Sequence, residues 1–401
     1  MPRRPSPDAT IGGNIRVRRQ ARGWSIRYAA DRAGLADSTW SRIERGLRSA
    51  DNRFVLADIA QALECAVTDI TGQPIPPVDR ATAEAQAGVE AIRRALVEVD
   101  LAEAPMVPFR PIAELARETD LVVDLRRRCD YIGAGRLLPG LLRELHATVH
   151  GPDKERALRL MVHAAFTASG VVRYVESPAE SWLAAERCRQ AAMALEDPVL
   201  LALGEYERSH AATGCGSYAR GLTLSRRAAD DLEPYVAMPG AAEMLGQLHL
   251  TVAFAAVGAN QSAEAPERIA EAERIAARAG ETTTLALMFG PTNVNFWRIS
   301  MEVDAGDPGR AVAIAEQTNP SLVASPSRQV SFYTDTARAL SRVRKDAGAV
   351  RMLLTAERIS PTRVHAAPLA RETARVLLER AQRRAAGPEL RGLCERMGLA
   401  A

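Results

Sequence analysis

The sequence predicts an all-α protein, and three observations carry that prediction. Ala, Leu, Arg and Glu dominate the 401 residues, and all four are strong helix formers. Segments such as 157–166 (Ala-Leu-Arg-Leu-Met-Val-His-Ala-Ala-Phe) place apolar residues on the i, i+3, i+4 face of a helix. Glycine and proline breaks recur at helical-hairpin intervals, among them Gly151-Pro152, Asp197-Pro198, Pro239-Gly240, Gly290-Pro291 and Gly387-Pro388, and no run alternates as a strand would.

Composition narrows the class. At 47% hydrophobic and 25% charged residues the chain is ordinary globular material. No apolar run is expected to reach the roughly 18 residues that span a bilayer. The N-terminal Met1-Pro2-Arg3-Arg4-Pro5-Ser6-Pro7 is basic with no apolar stretch after it, so no secretory signal is expected. Cys65, Cys129, Cys188, Cys215 and Cys394 lie far apart without a C-x-x-C pair. That pattern disfavours a disulfide framework or a zinc knuckle and favours the reducing cytoplasm. Cys188 and Cys215 read as small buried fillers.

Charge divides the chain. Residues 1–48 hold eleven arginines against four acids, inside a whole-chain net of +3, so the remainder is slightly acidic. A basic head on an acidic body is the asymmetry of a module that meets a polyanion. Between them, Gly72-Gln73-Pro74-Ile75-Pro76-Pro77-Val78 holds three prolines in seven residues and reads as a semi-rigid connector. The expected division is a disordered tail (1–9), a head (10–72), a linker (73–80) and a helical body (81–401).

The head reads as five helices. The first runs from about Thr10 to Arg22 and stops at Gly23. Ser25 caps a second, Ile26 to Ala33, which ends at Gly34. A third spans Asp37 to Glu44 and closes at Arg45-Gly46; a fourth (about Asn52 to Leu63) and a short fifth (about Val67 to Ile70) follow. Two short helices joined by a glycine-containing turn form the helix-turn-helix geometry, whose second helix lies in the major groove of DNA. Spacing on the third helix assigns Trp40, Ile43 and Leu47, with Leu35 upstream, to the core. It assigns Asp37, Ser38, Ser41, Arg42 and Arg45 to the groove side. Arg42 can fork onto guanine O6 and N7, and Asp37 can accept from a cytosine amino group. Asp37 can equally cap the helix, because Ala36 cannot. Arg45 and Arg48 read as phosphate contacts, and Ser25, Arg27 and Thr39 complete the expected DNA-facing set.

These residues carry a resemblance. Ile15-Arg16-x-x-Arg19, Gly23-x-Ser25, Ala29-Ala30-x-x-x-Gly34-Leu35, Ser38-Thr39-x-Ser41-Arg42-Ile43-Glu44-Arg45-Gly46 and Leu56-x-x-Ile59-Ala60-x-Ala62-Leu63 resemble the phage-repressor (Cro/CI, XRE) helix-turn-helix family. The resemblance implies base reading by Asp37, Ser38 and Arg42, dimeric binding to a palindromic operator in duplex DNA, and a partly buried ion pair between Arg19 and Glu44. Two departures stand out. Ile26 replaces a phosphate-contacting Gln, and Trp40 is bulkier than the usual Ile or Val.

The body reads as stacked helix pairs, about 14 to 16 helices. Gly216-Ser217-Tyr218-Ala219-Arg220-Gly221 and Gly306-Asp307-Pro308-Gly309-Arg310-Ala311 imitate the turn and second helix of a tetratricopeptide repeat, without its full signature. Such repeats would curve into a superhelix with a concave face. With Arg136-Leu137-Leu138-Pro139, Phe289-Gly290-Pro291-Thr292-Asn293-Val294 and Leu354-x-Ala356-Glu357-x-x-x-Pro361, the chain resembles actinobacterial regulators that join this head to a tetratricopeptide-like body. That resemblance implies a cytoplasmic transcription regulator whose body forms a homodimer and senses a small ligand or peptide. A protein-interaction scaffold tethered to DNA, with no effector, is the alternative.

No catalytic constellation is expected. Gly133-Ala134-Gly135 lacks a preceding strand and meets Pro139 where a dinucleotide loop wants glycine. His146 and His150 are one helical turn apart, with Glu144 nearby, but without a third ligand they read as satisfied surface. No enzyme activity, cofactor or metal is expected. For an effector, the candidates are Tyr206 and His210 one turn apart, His249, and Asn293, Asn295 and Arg298 beside Phe296 and Trp297. Asparagines can clamp a peptide backbone; they can also cap the helix after Gly290-Pro291 or pair across helices.

Overall fold

The computed structural model describes residues 10–105, 108–382 and 387–399, so the expected disordered tail (1–9) lies outside the described residues. Among the described residues there is no strand, and the one pairing of extended backbone is an isolated bridge between Thr282 and Phe289. The fold is all-α. Contacts divide the chain into two compact units, and the first is more than the head. Of the described residues, it groups those up to 78 with 298–317 and those from 330 onward, while those in 79–297 and 318–329 form the second.

The head helices are α1 (Ile11–Ala21), α2 (Ile26–Arg32), α3 (Asp37–Glu44), α4 (Arg53–Ala62) and α5 (Val67–Thr71). Their starts follow side-chain chemistry: Thr10, Ser25 and Asn52 each accept backbone N–H groups of the first turn. Their stops follow backbone chemistry, since Gly23, Gly34 and Gly46 adopt φ of 67°, 65° and 70°. Ile15, Trp40, Ile59, Leu63 and Ile70 form the core of the head. A Cβ on Gly12 would lie 2.2 Å from the Ile43 carbonyl oxygen, so glycine lets α1 lie directly on the end of α3. Leu47 departs from its expected core place and is 55% exposed. The helix ends at Glu44 and the left-handed Gly46 turns the chain away, so the i+7 register no longer applies.

The second unit contains α6 (Arg80–Glu98), α7 (Ile112–Arg127), α8 (Tyr131–Thr148), α9 (Lys154–Val175), α10 (Trp182–Leu195), α11 (Pro198–Gly214), α12 (Tyr218–Leu232), α13 (Ala241–Gly258) and α14 (Ala265–Ala279). From α7 onward each packs on its successor in chain order. Gly133-Ala134-Gly135 lies in α8, capped by Asp130, where a Cβ on Gly135 would come within 3.0 Å of Gly88 in α6. Close helix approach, not phosphate binding, accounts for that glycine. His146 is buried, not surface, with its Nε2 against the Asp100 backbone, whereas His150 is exposed. Cys188 is buried as expected; Cys215 is exposed because it follows the end of α11 at the Gly216 turn. α13 corrects a further expectation. Its 18 residues, with mean hydropathy 1.2, are long and apolar enough to cross a membrane, but most of it is buried inside the protein.

α15 (Pro291–Ala305) starts among residues of the second unit and ends among those of the first. After α16 (Pro308–Glu316), α17 (Pro326–Arg342) does the same; α18 (Asp346–Ile359), α19 (Pro361–Ala366), α20 (Pro368–Gln382) and α21 (Pro388–Arg396) complete the first unit. Asp307 caps α16 after Gly306, as the turn motif there suggested.

Within this unit the head is held by buried charge. Arg53 at the start of α4 reaches Asp304 at 2.5 Å and Asp335 at 2.8 Å. Arg338, 1% exposed, donates to the Asp51 carbonyl, Asp304 and Asp335. Arg342 pairs with Asp51 at 2.8 Å, and Glu372 accepts the Ala50 N–H at 3.0 Å. Residues 50–53, the segment that leads from α3 into α4, are thus anchored on α15, α17 and α20.

Candidate nucleic-acid interface

Helix α3 is seated by three side chains. Trp40 and Ile43 are buried, and Glu44 takes Arg19 of α1 in a bidentate pair at 2.6 and 2.8 Å. The Trp40 indole N–H also donates to Glu44, at 2.6 Å, and Arg19 donates to the Trp24 carbonyl at 2.7 Å. The Arg19–Glu44 pair expected from the resemblance is present, and the bulky Trp40 adds a third donor to it. A bidentate charge-assisted pair fixes the roll of α3 about its axis, which decides what the helix presents.

What it presents is polar. Asp37, Ser38, Arg42 and Arg45 are exposed, and Ser41 is half-buried beside them. Asp37 makes no side-chain hydrogen bond among the described residues, and α3 has no side-chain cap. Its carboxylate therefore stands free at the helix N-terminus. Arg42 and Arg27 make no ion pair among the described residues, while the Arg45 Nε donates to the Ser41 carbonyl at 3.2 Å. Arg48 donates to the Thr39 hydroxyl at 3.0 Å, so these two expected contacts form one exposed pair. Ser25 spends a lone pair capping α2 and keeps its hydroxyl proton to donate. The structure thus collects the α3 set on one face. Sequence reasoning missed the anchoring residues Asp51, Arg53, Asp304, Asp335, Arg338 and Arg342, whose partners lie up to 291 positions apart.

The candidate effector residues divide. In the second unit Tyr206 and His210 stack edge to face at 4.4 Å, and His210 lies 5.5 Å from Trp297. Asn293 is fully buried; its Oδ1 accepts from Arg328 at 3.0 Å, which is the cross-helix pairing, and its Nδ2 has no partner among the described residues. The His210 Nε2 and Trp297 Nε1 are likewise buried without partners among the described residues. Burial, with Arg173 and Arg328 nearby, holds the His210 imidazole well below its usual range and hence neutral at pH 7. His249 stands apart from this cluster against Arg268, and burial pushes its pKa down to about 4. Asn295 and Arg298 are half-buried on α15. Among the described residues no group of three or more His, Cys, Asp or Glu is placed to hold a metal ion.

Residues 10–70 match the family described as Helix-turn-helix domain. No curated protein and no solved structure matches the chain. Sequence match and geometry agree: the chain carries a helix-turn-helix DNA-binding domain.

Proposed function

We propose that the protein is a sequence-specific, DNA-binding transcription regulator of the phage-repressor type. Its body, read as degenerate tetratricopeptide-like repeats, dimerises and senses a small ligand or peptide. The observation that carries the reading is α3 itself, locked by Trp40, Ile43 and Glu44 with Asp37, Ser38 and Arg42 on the open side. Arg42 reads a base; Arg45, Arg48 and Arg27 position the head on phosphates, with Ser25, Thr39 and Ser41 as neutral donors.

The test is duplex binding across a salt series. Each neutralised phosphate contributes roughly −0.9 to the log–log slope, so binding falls steeply with salt. Arg42→Ala costs about 1–3 kcal/mol on the preferred sequence and relaxes one position, whereas Arg45→Ala weakens all sequences alike. A flat salt series removes the DNA reading; equal losses on preferred and random DNA remove only the base-reading role of Arg42.

One head makes a small contact, and helix-turn-helix dimers bind half-sites about 34–36 Å apart. The head exposes mainly charge, so the dimer interface is assigned to the body. Light scattering on the full chain at micromolar concentration is expected to give twice the 43.3 kDa of one chain; the mass of a single chain contradicts the dimer.

A further inference from the structure

We infer that the cleft between α16, α17 and α18 is a binding site for a small amphipathic anion, an apolar body carrying one carboxylate. As the effector site of a regulator, it rests on the DNA-binding reading above; as a binding site, it does not. The cleft encloses about 680 Å³, within the range of small-molecule sites. Val312, Phe332 and Leu340 are buried in its wall and Met352 is half-buried beside them.

The rim supplies the charge. Glu316 pairs with Lys345 at 3.1 Å and Asp346 with Arg380 at 2.9 Å, so those four charges are matched. Arg344 and Arg351 also line the cleft, are exposed, and make no ion pair or side-chain hydrogen bond among the described residues. Two unmatched guanidiniums above an apolar wall select an acidic head group with an apolar tail. Thr336, on the same wall, has a buried hydroxyl with no hydrogen-bond partner among the described residues. Such groups are rare in native proteins and call for an explanation.

Arg344 is held at a backbone cost. The N–H of Lys345 bonds the Leu340 carbonyl and that of Arg344 bonds the Ser341 carbonyl, which is the Schellman closure of α17. The closure puts Arg344 at φ 64°, the left-handed position where glycine is usual. Glycine there would be easier for the fold and would remove the cation.

The cleft also has a route to the head. Phe332, Thr336 and Leu340 occupy one face of α17 at i, i+4 and i+8, while Asp335, Arg338 and Arg342, which hold residues 51–53, occupy another at i, i+3 and i+7. A ligand that prefers one placement of α17 thereby biases the anchor of the head.

The experiment is equilibrium dialysis of the full-length protein against octanoate, with octylamine as competitor. Expected are one saturable site per chain, no competition by octylamine, and at least tenfold weaker binding in Arg344→Gly and Arg351→Ala. Arg344→Gly should retain or raise the melting temperature, since the substitution relieves left-handed strain. Absence of saturable binding, competition by octylamine, or unchanged affinity in both variants overturns the site. Duplex DNA affinity with and without octanoate is measured alongside. If octanoate binds as expected and DNA affinity does not move, the site stands and its effector role fails.

Discussion

Arg338→Met is expected to lower the stability of the first unit by about 3–5 kcal/mol, the cost of breaking a buried ion pair from one side. Arg338 is 1% exposed, and its guanidinium serves the Asp51 carbonyl, Asp304 and Asp335 together. Methionine fills much of the same volume, so the loss is electrostatic more than steric. Asp304 and Asp335 keep Arg53 but lose the cation between them, and two carboxylates out of water then repel. Urea unfolding of full-length wild type and variant checks the magnitude. An effect below 1 kcal/mol would mean that the network is solvated and does not anchor the head.

The same network sets an acid limit. Burial alone would raise the Asp335 pKa, but Arg53 and Arg338 outweigh it and hold the carboxyl well below its usual range; at Asp51 burial is likewise outweighed, and Arg342 and Arg338 lower its pKa. A folded-state pKa below the unfolded value stabilises above about pH 4, the unfolded carboxyl pKa, and that contribution is lost as pH falls through the folded value. Unfolding free energy measured from pH 6 downward is therefore expected to drop below about pH 4. The drop should be shallower in Arg338→Met, whose acids are less strongly held.

Glu44→Ala is expected to remove a comparable amount, about 3–5 kcal/mol, and duplex binding with it. The substitution strands the Arg19 guanidinium and leaves the buried Trp40 indole N–H without its acceptor. Glu44→Gln keeps an acceptor for Trp40 and loses only the charge, so its loss should be smaller. Tryptophan fluorescence during urea unfolding follows both, since Trp40 sits in the affected core. Equal stability of Glu44→Ala and wild type would show that Ile43 and the Trp40 ring alone seat α3.

The effector candidates show how far sequence spacing reaches. One turn of helix brought Tyr206 and His210 together correctly, because i, i+4 neighbours need no tertiary information. The neighbours of Asn293 could not be foreseen in the same way. Arg328, which donates to its side-chain amide oxygen, lies 35 residues on and belongs to another helix.

By itself the sequence determined the helical class, the starts and stops of the head helices and the polar face of α3. Each depends on chemistry within a few residues: Thr10, Ser25 and Asn52 accept first-turn N–H groups, and Gly23, Gly34 and Gly46 take the left-handed conformation that ends a helix. Only the tertiary structure decided that Leu47 is exposed, that His146 is buried and that Asp51, Asp304, Asp335 and Arg338 are interior. An acid or an arginine on a helix looks like solvated surface until its partner is known. Here the partners come from α15, α17 and the loop before α4, and close packing takes their charges out of water together.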